Sequence, residues 1–63
     1  MNKNITDKLD IAGIVAREVE NRINVYCTDK EQVETAKEII ADYPVRTTVI
    51  DYGNGVTKIE VKE

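Results

Sequence analysis

The chain has no histidine, tryptophan or phenylalanine, and only one cysteine and one proline. Without histidine the mixed Cys/His zinc sets are out of reach, and no Cys–His pair can generate a nucleophilic thiolate. Cys27 alone cannot close an internal disulfide. No run approaches the roughly 20 apolar residues of a membrane helix. The opening stretch MNKNITDKLDIAGIV is interrupted by Asp7 and Asp10 where a signal peptide needs a continuous apolar core. A surplus of positive charge is missing too. Nine Lys and Arg stand against twelve Asp and Glu, a formal net charge of −3. Proteins that bind phosphate backbones usually carry a basic footprint, so this balance speaks against a nucleic-acid partner. The expectation is a soluble, cytoplasmic protein with no cofactor, no metal and no membrane partner.

What remains must stabilise 63 residues without covalent or metallic staples, through the core itself or with a partner subunit. Apolar residues make up 41% and charged residues 33%, with both signs interspersed, which fits one small globular domain over 1–63. Residues 1–8 read as a flexible tail.

The clearest element is a helix in TDKEQVETAKEIIADYP. Thr28 and Glu31 have capping-box spacing, and Asp29 and Glu31 suit the positive end of a helix dipole. Val33, Ala36, Ile40 and Tyr43 recur at spacings of three and four and so share a face. Lys30, Glu34, Lys37 and Glu38 fall on the other side, and Pro44 ends the element. The β-rich run VRTTVIDYGNGVTKIEV then reads as a hairpin. With Asn54-Gly55 as a two-residue loop, Ile50 pairs with Ile59 and Asp51 with Lys58. Ile50, Ile59 and Val61 then form one apolar face. A turn at Gly53-Asn54 matches side chains less well.

The N-terminal part admits two readings. Ile5, Leu9, Ala12, Ala16, Val19 and Ile23 step as an amphipathic helix would. GIVAREVENRINVYC also forms a hairpin around Glu20-Asn21, pairing Glu18 with Ile23, Ala16 with Val25 and Ile14 with Cys27. Asn21 tolerates the left-handed conformation such a turn needs, and Gly13 disfavours a helix interior. The expected fold is therefore α+β, a ββαββ plan in which one helix packs on a four-stranded, mostly antiparallel sheet. The alternative is αβαββ, with residues 5–22 helical.

The run LDIAGIVAREVENRINVYC, a helical segment, and YPVRTTVIDYG together resemble a small α+β module that precedes the catalytic domain of some bacterial trypsin-like proteases. The matching pieces are Ile11 to Val15, Asn24 to Cys27 and Pro44 to Gly53. That module has no catalytic residues of its own, so the resemblance implies a fold and no active site. TDKEQVETAKEIIADYPVRTTVID is also similar to the helix–strand half of BON domains, which are small binding modules.

No catalytic constellation emerges. Cys27, with no base to ionise it, reads as a small buried apolar residue. Glu31, Glu34 and Glu38 are interleaved with Lys30 and Lys37 as on an ordinary solvated face. GNG is followed by VTKIEV, a strand, whereas phosphate-binding glycine loops lead into a helix.

Tyr43 reads as core at the helix end, and Tyr52 packs near the hairpin turn. Tyr26 points away from the helix with Val15, and Arg17, Val19 and Arg22 follow on that side. Val45 and Val49 are expected to join them. A single helix leaves this reverse face uncovered. The candidate interface is therefore Val15, Arg17, Val19, Tyr26, Val45 and Val49. The function expected is a non-enzymatic interaction module that docks another protein or forms a homodimer through the sheet. The alternative is weak single-stranded nucleic-acid binding, with Tyr26 stacking on a base and Arg17, Arg22 and Lys58 near phosphates.

Overall fold

The computed structural model describes residues 3–62. Its elements run α1 (Lys3–Ile11), β1 (Val15–Val19), β2 (Arg22–Cys27), α2 (Lys30–Ile40), β3 (Arg46–Asp51) and β4 (Thr57–Lys62). The class is α+β with a four-stranded, wholly antiparallel sheet, in the order β1-β2-β4-β3. One element is absent from the ββαββ plan. Residues from Lys3 form a helix where a tail through residue 8 was read, and Ile5 and Leu9 on it are fully buried. Residues 1 and 2 of that expected tail lie outside the described residues.

Of the helix that the alternative plan runs over residues 5–22, only the part to Ile11 forms, and Gly13 is the reason it stops there. It takes φ +78°, open to glycine at little cost. Its N–H donates to the Asp10 carbonyl at 3.0 Å, and the Ile14 N–H reaches back to Leu9 at 2.9 Å. These two bonds make a Schellman stop, and the Leu9–Ile14 pair that accompanies it is buried in the core. The stop turns the chain directly into β1.

The first hairpin has the expected register, Glu18 to Ile23 and Ala16 to Val25. At its turn Glu20, not Asn21, carries the positive φ, +56°. In β2 the alternation is strict: Ile23, Val25 and Cys27 are buried, and Arg22, Asn24 and Tyr26 are partly exposed.

The N-cap of α2 lies one residue later than the sequence suggested. The Asp29 carboxylate accepts from the Gln32 N–H at 2.8 Å, and Gln32 Oε1 accepts from both the N–H and the hydroxyl of Thr28. The N-cap is thus Asp29 rather than Thr28, since Asp29 supplies the acceptor beside the first free N–H groups, and Gln32 reaches back to the residue before it. Ala36 and Ile40 are buried, with Val33, Ile39 and Tyr43 packed against the same core. Lys8 of α1 sits 5.3 Å over the Tyr43 ring, a cation–π contact between the N-terminal helix and the end of α2.

The second hairpin differs from expectation by one residue. Val49 pairs with Ile59, Ile50 with Lys58 and Asp51 with Thr57. The Tyr52 N–H bonds the Val56 carbonyl at 3.0 Å, which closes a three-residue loop, Gly53-Asn54-Gly55. Gly53 and Gly55 both have positive φ, +80° and +86°. Asp51 does not pair with Lys58. Its Oδ1 accepts from the Gly53 N–H at 2.8 Å and fixes the loop entrance. In a strand a one-residue slip exchanges the two faces. Thr47 and Val49 therefore lie on the helix side, while Arg46, Thr48 and Ile50 lie on the reverse side.

Both helices pack on one side of the sheet. Ile5 and Leu9 of α1 and Ala36 and Ile40 of α2 share a single core with Ile23, Val25, Cys27, Ile59 and Val61. Neither helix covers the other side.

Candidate functional site: the open sheet face

The paired registers arrange the uncovered face as three rows across β1, β2, β4 and β3. The first row is Val15, Tyr26, Lys58 and Ile50. The middle row is Arg17, Asn24, Glu60 and Thr48, and the last is Val19, Arg22, Lys62 and Arg46. Strand spacing and residue rise make this field roughly 14 Å on a side.

Four of the six expected interface residues share this face: Val15, Arg17, Val19 and Tyr26. Val45 and Val49 do not. Val45 packs against the core, and Val49 faces the helix side, where it remains 47% exposed on the edge strand. The expected apolar cluster therefore loses two valines. In their place the face holds Ile50 and Arg46, which the other register turned inward.

Charge is divided sharply between the two sides. Arg17, Arg22, Arg46, Lys58 and Lys62 lie on the open face, five of the nine basic residues in the chain. Glu60 is the one carboxylate among the described residues of the three rows. Asp7, Asp10, Asp29, Glu31, Glu34 and Glu38 sit in or beside the helices. A chain with a net charge of −3 thus presents a face with a formal surplus of four positive charges. The sequence contained these residues, but only the register sorts them by side.

Lys58 Nζ bonds Glu60 Oε2 at 3.0 Å along β4. That hydrogen bond is the main influence raising the Lys58 pKa, with a further contribution from Tyr52. The same bond leads in holding Glu60 below the ordinary carboxylate range, and the charges of Lys58, Arg22 and Lys62 add to it against an opposing desolvation. Glu60 is thus engaged by Lys58 and surrounded by cations. At the far end, Arg22, Lys62 and Arg46 stand side by side on three neighbouring strands. Like charges directly opposite each other destabilise a sheet. Glu20 and Asn21 of the first turn rim a shallow recess with these three cations.

Asn24, in the middle row, has a buried Oδ1 that accepts no hydrogen bond among the described residues. Such an oxygen costs about 1–3 kcal/mol unless something donates to it. Tyr52 is half exposed beside the first row, at the mouth of the glycine loop.

Other chemistry is sparse. Cys27 is fully buried on the helix side, and burial, helped by the charge of Asp29, pushes its thiol pKa up. Among the described residues no group of three or more Cys, Asp or Glu is placed to hold a metal ion. No described helix is long and apolar enough to cross a membrane. No family model, no curated protein and no solved structure matches the chain, so the open face itself supplies what can be said of a partner.

Proposed function

We propose that this protein is a small, non-catalytic binding module that docks a negatively charged macromolecular partner on its open sheet face. The observation that carries the proposal is the concentration of Arg17, Arg22, Arg46, Lys58 and Lys62 in three rows that hold one carboxylate, Glu60, among the described residues. Sheets tolerate a solvated face. The like-charge pair of Arg22 and Lys62 on that face is an expense a merely solvated surface has no reason to carry.

The same charge argues against a face-to-face homodimer. A two-fold axis sets the same patch against itself, so two such faces would oppose positive charge with positive charge. A polyanion meets the requirement instead, and the cytoplasm is the setting we assign to this role.

Heparin serves as a generic polyanion for the test, with binding measured by isothermal titration calorimetry at low ionic strength. Removing two open-face charges, in Arg17→Ser/Lys62→Ser, is expected to weaken binding about tenfold or more, as loss of phosphate-like contacts does. Removing two exposed charges from α2, in Lys30→Ser/Lys37→Ser, is expected to leave it nearly unchanged. Equal losses in the two double variants, or no binding by the wild type, would overturn the assignment.

A further inference from the structure

We infer that the polyanion is a single-stranded nucleic acid, laid across the sheet with its bases over the Tyr26 end and middle and its phosphates near the cationic row. This inference rests on the polyanion proposal and narrows it. Two features of the face favour a nucleotide chain over an acidic protein segment.

The first is shape. The four strands form one continuous face, and its recess at the Arg22 end is lined by Glu20, Asn21, Arg22, Arg46 and Lys62. Protein partners draw most of their affinity from apolar or aromatic anchors that fill pockets. A recess with a polar and mostly cationic lining offers such an anchor little, and a phosphate much.

The second is the position of the aromatic rings. Tyr26 lies on the inner strand β2, directly across from Lys58, and Tyr52 flanks Lys58 from the hairpin end. Rings set among cations on a sheet let bases stack while the backbone is neutralised, and every base has a face to stack. Tyr26 and Arg22 are four residues apart on one strand, so roughly 14 Å separates the stacking end from the cationic row. That distance accommodates two or three nucleotides.

The test uses fluorescence anisotropy at low salt, with the whole chain and four probes. These are fluorescein-labelled oligothymidylate and oligouridylate of about twelve nucleotides, a duplex of the same length, and labelled poly-L-glutamate. The two single strands are expected to bind most tightly, with affinity falling steeply as salt rises. Tyr26→Ala is expected to weaken oligothymidylate binding by about ten- to a hundredfold through loss of stacking. Tyr26→Phe keeps a ring of the same size and is expected to restore most of it. Circular dichroism of both variants shows that each is folded. If poly-L-glutamate binds as well as or better than the single strands, or Tyr26→Phe is as weak as Tyr26→Ala, the nucleic-acid inference falls and the polyanion proposal stands. If none of the four probes binds, both fall.

Discussion

Arg22 and Lys62 stand directly opposite each other on adjacent antiparallel strands, on the face that neither helix covers. Arg46 continues the row on the other side of Lys62. Lys62 is therefore flanked by a cation on each side, although the chain has acidic residues to spare. Replacing it with a carboxylate, Lys62→Glu, turns two like-charge neighbours into opposite-charge neighbours. Urea denaturation is expected to show a gain of about 0.5–1 kcal/mol. Polyanion binding should fall in the same variant. A site that trades stability for binding shows this opposition, and a merely solvated surface does not.

The N-terminal helix is part of the core. Leu9 is fully buried and packs with Ile14 across the Schellman stop. Leu9→Ala is expected to cost about 2–5 kcal/mol, as other large-to-small core changes do. Gly13→Ala meets no atom within 4 Å, so its cost comes only from φ +78°. About 1–2 kcal/mol is expected from that backbone conformation. A negligible change in the chemical denaturation of Leu9→Ala would mean that residues 3–11 do not dock as described.

Glu20 holds φ +56° at the first turn, a position glycine takes more easily. Glu20→Gly is expected to stabilise the fold by about 0.5–1 kcal/mol, the relief of strain less the entropy of the added glycine. It also removes a carboxylate from the rim of the cationic recess. The variant should therefore gain both stability and polyanion affinity, measurable by thermal melting and calorimetry on one preparation.

Cys27 links stability to alkaline pH. Burial raises its pKa in the folded state, with the Asp29 charge acting in the same direction. The folded chain then keeps the thiol proton at a pH where the unfolded chain has lost it. The resulting stabilisation is complete below the ordinary thiol range and is lost as pH rises toward the raised folded value. Urea midpoints measured across this range should fall more steeply for the wild type than for Cys27→Ala. Native-state labelling with a thiol reagent should be slow at neutral pH, because the sulfur is buried and protonated.

Much of the fold is legible in the sequence where a period is long enough to express itself. RINVYC alternates strictly, and the run from Val33 to Tyr43 keeps one helical stripe. The α1 helix is harder to see, since its nine residues place only Ile5 and Leu9 in the core. Gly13, read as unfavourable inside a helix, is its stop signal. The β3–β4 register escaped for a different reason. VIDYGNGV admits loops of two or three residues, and side-chain matching favours the shorter. Asp51 decides otherwise by bonding the Gly53 N–H, with both glycines of GNG at positive φ. That one-residue difference moves Val49 off the candidate face and brings Arg46 onto it. Net charge hides the division of charge as well, because an average over the chain conceals a basic side opposite an acidic one.

Chemical-shift mapping tests the central claim most directly. The ¹⁵N-labelled protein is titrated with heparin and its amide spectrum followed residue by residue. The largest shifts are expected at Arg17, Arg22, Asn24, Tyr26, Lys58 and Lys62, with those of α2 nearly still. Shifts concentrated on α2 around Lys30 and Lys37, or spread evenly over the molecule, would contradict the assignment of the open sheet face as the binding surface.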